Sequence, residues 1–132
     1  MSDLIPNEVP VAFGGERRVI LLSLASMDAI QSTFAEDTVF SALKKMYMSE
    51  RPQWYTAEIL RILLEDARKR HKLQGENVDF ETEYSTDEIM TLISVDELDA
   101  VRASILSACR VAIPETGDDE DDDPNRKRAV DN

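Results

Sequence analysis

This chain of 132 residues has a single cysteine, a single histidine and a single tryptophan. The lone Cys109 excludes an intramolecular disulfide and a zinc site of the usual cysteine kind. That usage fits a reducing compartment. The lone His71 leaves little material for acid–base chemistry. It lies in Arg68-Lys69-Arg70-His71-Lys72, at a predicted helix C-terminus, where cations complement the dipole and the exposed carbonyls. Long hydrophobic runs are missing as well. The longest unbroken apolar stretches have four residues, such as Val19 to Leu22, and a bilayer span needs about 20. Residues 1–8 lack a basic region followed by an apolar run, so no signal peptide is expected.

Positive charge is also scarce. Fifteen Lys and Arg face 27 Asp and Glu, a net charge of −12. Residues 1–114 hold 12 cations against 19 acids, a net −7, and residues 115–132 hold 3 against 8, a net −5. Wrapping nucleic acid requires clustered cations, which this balance argues against. An acidic surface favours solubility and repulsion between copies.

What is present is a hairpin heading a run of helices. Val9 to Phe13 and Val19 to Leu22 are β-prone and flank Gly14-Gly15. A Gly-Gly pair accepts the positive φ angles of a tight turn, which a Cβ resists. Pro10 cannot donate to a ladder, so the first strand is predicted at an edge or starting late. The second is apolar on both faces, so one face is free to meet something other than the helices.

Helical periodicity follows. A first helix is predicted from Ser23 or Leu24 to Ala35, with Leu24, Met27, Ile30 and Phe34 as its stripe. A second is predicted from Asp37 as N-cap to about Met48, with Val39, Phe40, Leu43, Met46 and Tyr47 as its apolar face. A third begins between Pro52 and Thr56 and runs to about Lys72. Its broad apolar face marks a central helix touched from two sides. Val78 and Phe80 alternate with acids, as in a short strand. Ser85-Thr86-Asp87-Glu88 and Ser94-Val95-Asp96-Glu97 are capping boxes that open two more helices. The last carries Leu98, Val101, Ile105 and Cys109 to about Ile113, where Pro114 stops it.

The predicted architecture is therefore mainly α (α+β): an N-terminal β-hairpin followed by a compact bundle of about five helices. Residues 1–8 form a flexible arm, 9–114 one domain, and 115–132 a disordered acidic tail. That core needs neither disulfide nor metal for stability.

No catalytic or metal-binding constellation stands out. The acid pairs Glu65-Asp66, Asp87-Glu88 and Asp96-Glu97 are adjacent in sequence and point to different sides of a helix. Gly14-Gly15 lacks the downstream Gly-Lys-Ser/Thr of a phosphate loop. Asp118 to Asp123 lacks the spacing and central glycine of a calcium loop. The run reads as a solvated spacer or as an electrostatic docking tail. No cofactor is expected.

The sharper features are apolar. Trp54 and Tyr55 lie where the second helix turns into the third, just after Met46, Tyr47 and Met48. Large aromatics beside methionines make adaptable binding surfaces; the same residues also suit the closed end of a core. The predicted partner contacts are Val11 and Phe13 from the hairpin, with Met46, Tyr47, Trp54 and Tyr55.

The order of these pieces resembles the small tail assembly chaperones of tailed bacteriophages and gene transfer agents. The likeness rests on Asn7-Glu8-Val9-Pro10-Val11 leading to Gly14-Gly15, then Arg18-Val19-Ile20-Leu21-Leu22-Ser23-Leu24, Met27-Asp28-Ala29-Ile30, Ser85-Thr86-Asp87-Glu88-Ile89 and a final helix before Pro114-Glu115. It covers about residues 7–115. It departs from the usual pattern in the Asp-rich tail and the Trp54-Tyr55 pair.

The resemblance implies a non-enzymatic protein that binds the tape-measure protein, keeps it soluble and aids assembly of tail-tube subunits. It implies work in the cytoplasm of an infected bacterial host and absence from the mature virion. Some members are also made in a longer, frameshifted form. Self-association is a further possible contact; nucleic acid and membrane are not expected partners. Two alternatives stand beside it: a small structural head–tail or tail-completion part of the virion, and an acidic regulator mimicking DNA.

Overall fold

The computed structural model describes residues 8–36, 38–75 and 84–110. Arm residues 1–7, Asp37, the strand expected at Val78 to Phe80, Pro114 and the acidic tail lie outside the described residues.

Strands β1 (Glu8–Phe13) and β2 (Glu16–Leu21) pair antiparallel, with Val9 opposite Ile20, Val11 opposite Arg18 and Phe13 opposite Glu16. Gly14 and Gly15 close the turn at φ 60° and 81°. These values suit the two-residue turns whose twist matches that of paired strands. Alternation then sorts the side chains. Val11, Phe13 and Ile20 face inward and are buried, while Pro10 and Ala12 face out. Glu8 is a buried strand residue rather than part of the arm, because its carboxylate meets His71.

Helix α1 (Leu24–Phe34) starts at the later of the two expected positions, with Ser23 as its cap. The backbone N–H groups of Ala25 and Ser26 donate to Ser23 Oγ, and Ser23 N–H donates back to Ser26 Oγ at 2.8 Å. Of the predicted stripe, Ile30 and Phe34 are buried and Met27 partly so, while Leu24 is exposed and Ser26 turns inward in its place. The helix ends at Ala35 in the left-handed conformation, φ 54°.

The predicted second helix is much shorter. Helix α2 (Val39–Leu43) is capped by Thr38, whose Oγ1 accepts from Ser41 N–H at 3.0 Å, not by Asp37. It tightens into a 3-10 turn (Lys44–Met46). There Tyr47 and Met48 both donate to the Lys44 carbonyl, at 3.0 and 2.8 Å, and the chain leaves the helical path.

Helix α3 (Pro52–Leu73) is the spine. Pro52 takes the first helical position, where a missing N–H is harmless. Thr56, the other candidate start, is inside the helix and buried, its hydroxyl donating to the Pro52 carbonyl at 2.8 Å. Ala57, Ile59, Leu60, Leu63 and Ala67 are all buried. They meet β2, α1, the 3-10 turn and, beyond them, α4 (Thr86–Leu92) and α5 (Leu98–Ala108).

Both capping serines act as expected. Ser85 and Glu88 exchange side chain-to-backbone bonds at 3.1 and 2.8 Å. Ser94 N–H donates to Glu97 Oε1 at 2.9 Å, but this second box opens a 3-10 turn (Val95–Glu97) before α5 begins. Helix α5 stops at Ala108, earlier than the expected Ile113, and Arg110 turns left-handed at φ 63°.

The hairpin lies over the helices, β2 against α3 and β1 against α5. Gly14 N–H approaches Glu97 Oε1 at 3.4 Å, and a methyl group added at Gly14 would meet Leu92 at 3.4 Å. Arg18, mostly buried, donates to the Tyr84 hydroxyl at 3.2 Å and pairs with Glu16. Phe13, Ile20, Ile30, Met46, Ile59, Leu60, Leu63, Ile89, Val101 and Ile105 are core. Among the described residues no helix is long and apolar enough to cross a membrane.

Candidate functional site

The short turn from α2 into α3 gathers most of the aromatic side chains named from the sequence. Phe34, Trp54 and Tyr55 form a three-ring cluster, each pair edge-on. Centroids are 6.4 Å apart for Phe34–Trp54 and 5.2 Å for both Phe34–Tyr55 and Trp54–Tyr55. Phe34 is buried, and Trp54 and Tyr55 are half-buried against the core. Tyr47 and Met48 stand outside the cluster, 49% and 75% exposed, and Phe40 is 54% exposed on α2.

Every one of these outer rings carries a cation. Lys44 Nζ lies 5.2 Å from the Phe40 centroid and Lys45 Nζ 5.4 Å from that of Tyr55. The Arg51 guanidinium lies 5.4 Å from Trp54, and Arg102 reaches across from α5 to 5.0 Å from Tyr47. Each contact contributes about 0.5–1 kcal/mol when exposed. Arg102 also donates from Nε to Thr56 Oγ1 at 3.1 Å, which fixes α5 against the second turn of α3. Burial pushes the Tyr47 phenol above its usual value; the Arg102 charge opposes this and Asp99 adds to it.

The six predicted contact residues divide. Tyr47, Trp54 and Tyr55 come together on this face. Val11, Phe13 and Met46 do not: they are 2%, 1% and 0% exposed. The correction has a simple cause. The inward strand face takes Val11 and Phe13, and the 3-10 turn points only one of its neighbouring large side chains, Met46, beneath α3. Leu21, on the strand's other face, is buried too, so the second strand offers less free apolar surface than its sequence suggests.

A neighbouring groove went unread in the sequence. Gln53, Met90, Ile93, Ser94, Val95 and Leu98 line about 150 Å³ where α4, the second 3-10 turn and α5 meet the start of α3. Val95 is 92% exposed at its rim. The signal was there in a capping box with valine as its second residue, an apolar group placed on a turn with nothing to cover it.

Charged groups elsewhere serve the fold. Glu58 accepts from Arg61 at 3.1 and 2.5 Å and from the Thr86 hydroxyl, joining α3 to the start of α4. Burial works to raise the Glu58 carboxyl. The bonds from Arg61 and Thr86, with the Arg61 charge, outweigh it and hold the carboxyl below its usual value. Burial pushes the Cys109 thiol up to about 12. Among the described residues no group of three His, Cys, Asp or Glu is placed to hold a metal ion. Comparison with protein-family models, curated proteins and solved structures finds no match.

Proposed function

We propose that this protein is a non-catalytic assembly chaperone of the phage-tail type. It binds apolar helical segments of a tape-measure protein in the host cytoplasm, keeps them dispersed while tail-tube subunits assemble, and does not enter the mature virion. The observation that carries this reading is the aromatic face of Tyr47, Trp54 and Tyr55, extended by Met48 and bordered by cations. A half-buried aromatic with a polar rim is the usual anchor of a partner interface. Exposed apolar helices aggregate unless covered. An amphipathic client helix laid on this face, with the groove at Val95 beside it, would be covered by an acidic chain whose net charge of −12 repels other copies.

The test is co-expression with an otherwise insoluble tape-measure fragment. The fragment becomes soluble with this protein, and Tyr47→Ala and Trp54→Ala each weaken the complex. Truncating an anchor of this kind costs about 2 kcal/mol or more, roughly thirtyfold in affinity. A fragment equally insoluble with and without the protein would sink the reading. Stoichiometric copies in purified particles would replace it with a structural role in the virion.

A further inference from the structure

The face around Tyr47 and Trp54 is rich in cations for an acidic chain, with Glu36 paired to Lys45 and Asp99 acting on Tyr47. From Thr38 to Ala57 the sequence holds Lys44, Lys45 and Arg51 against one acid, Glu50. Arg102 adds a fourth cation from α5. Lys45 is paired, its Nζ 3.1 Å from Glu36 Oε2. Among the described residues Lys44, Arg51 and Arg102 form no ion pair, and each lies over an aromatic ring.

The chain itself carries the complementary charge. Residues 118–123 are Asp-Asp-Glu-Asp-Asp-Asp, six acids without a break. They are within reach. Arg110, the last described residue, lies eight positions beyond Arg102, about 12 Å along the helix axis. The seven residues 111–117 span about 23 Å when extended, enough to return over α5 with slack. Arg102 in turn touches Thr56, in the second turn of α3, and Arg51 is the residue before that helix. The six-acid run, about 20 Å long when extended, covers that separation.

We propose that the acidic run Asp118–Asp123 docks in cis on the cation–aromatic face formed by Lys44, Lys45, Arg51 and Arg102. The docked run lies beside Trp54 and Tyr47. The docking itself does not depend on which client the face receives.

Trp54, the only tryptophan, reports on this contact without a label. The experiment compares the full chain with a full-length variant neutralised at the run (Asp118→Asn, Asp119→Asn, Glu120→Gln, Asp121→Asn, Asp122→Asn and Asp123→Asn). Trp54 emission and the NMR resonances of Trp54, Arg51 and Arg102 are read at about 0.01 M and about 1 M salt, where the Debye length falls from about 30 Å to about 3 Å. In dilute salt the two proteins differ at these three residues, and in concentrated salt their spectra converge. Coincident spectra at both salt concentrations overturn the proposal. Differences that fade on dilution of the protein also overturn it, since they place the acidic run on a second copy.

Discussion

His71 Nε2 lies 2.6 Å from Glu8 Oε2, joining the last turn of α3 to the first residue of β1 across 63 positions of sequence. The Glu8 side chain is almost fully buried, so its carboxylate depends on a partner inside the protein. Removing that partner is worse than removing both groups, because a buried acceptor is left unsatisfied. His71→Ala is expected to lose about 1–3 kcal/mol of unfolding free energy. Combined with Glu8→Gln, it loses less than the sum of the two single changes. Chemical denaturation of the four proteins in the cycle checks this, and strict additivity would contradict it.

Met46 and Tyr47 are neighbours with opposite fates. Met46→Ala empties a fully buried site and is expected to cost about 2–5 kcal/mol. Tyr47→Ala removes a half-exposed ring and its contact with Arg102, at less than about 1 kcal/mol. The client-binding effect runs the other way, with Tyr47→Ala weakening the complex while the fold stays intact. Melting curves beside a pull-down measure both.

Acid should unfold this protein partly through Glu58. Its pKa is held below the ordinary value of 4.5 in the fold. A group depressed in this way contributes its full stability above its unfolded pKa and loses it as pH falls through the folded one. Stability should therefore fall on acidification below about pH 4.5, the carboxylate range. Glu58→Gln is expected to flatten part of that limb and to lower stability at neutral pH. Urea midpoints measured from pH 7 down to pH 3 give the comparison; an unchanged limb would show that other carboxylates carry it.

Cys109 should be slow to react. With its thiol pushed up to about 12 by burial, only about one molecule in ten thousand carries the thiolate at pH 8, and the thiolate is the nucleophile. Native protein is expected to resist a disulfide reagent that labels the denatured chain at once. Rapid labelling of the native protein would mean that the end of α5 opens readily.

Local chemistry made much of this fold legible. Ser85 and Ser94 announced helical turns because a capping box is a contact between residues three apart. Pro52 announced α3, and Gly14-Gly15 the hairpin, because both fix backbone angles without outside help. Periodicity marked the broad face of α3. It did not say which of Met46 and Tyr47 turned inward, since a tight turn decides that and not a helical repeat. Aspartate ranks above threonine as a cap, so residue type alone pointed to Asp37, while Thr38 holds the position. Of the candidate site, the aromatic half was legible as composition, while its cations were not. Arg102 meets Tyr47 only after α5 folds back, and no spacing records that. The pairing of Glu8 with His71 was hidden for the same reason.

The contact between Gly14 and Glu97, 83 residues apart, belongs to a wider embrace in which β1 lies against α5. During synthesis at about 5–20 residues per second, the hairpin leaves the ribosome roughly 5–20 s before the helix that covers it. Val11 and Phe13 spend that interval without their partner surface. The core can close over β1 only once α5 has emerged.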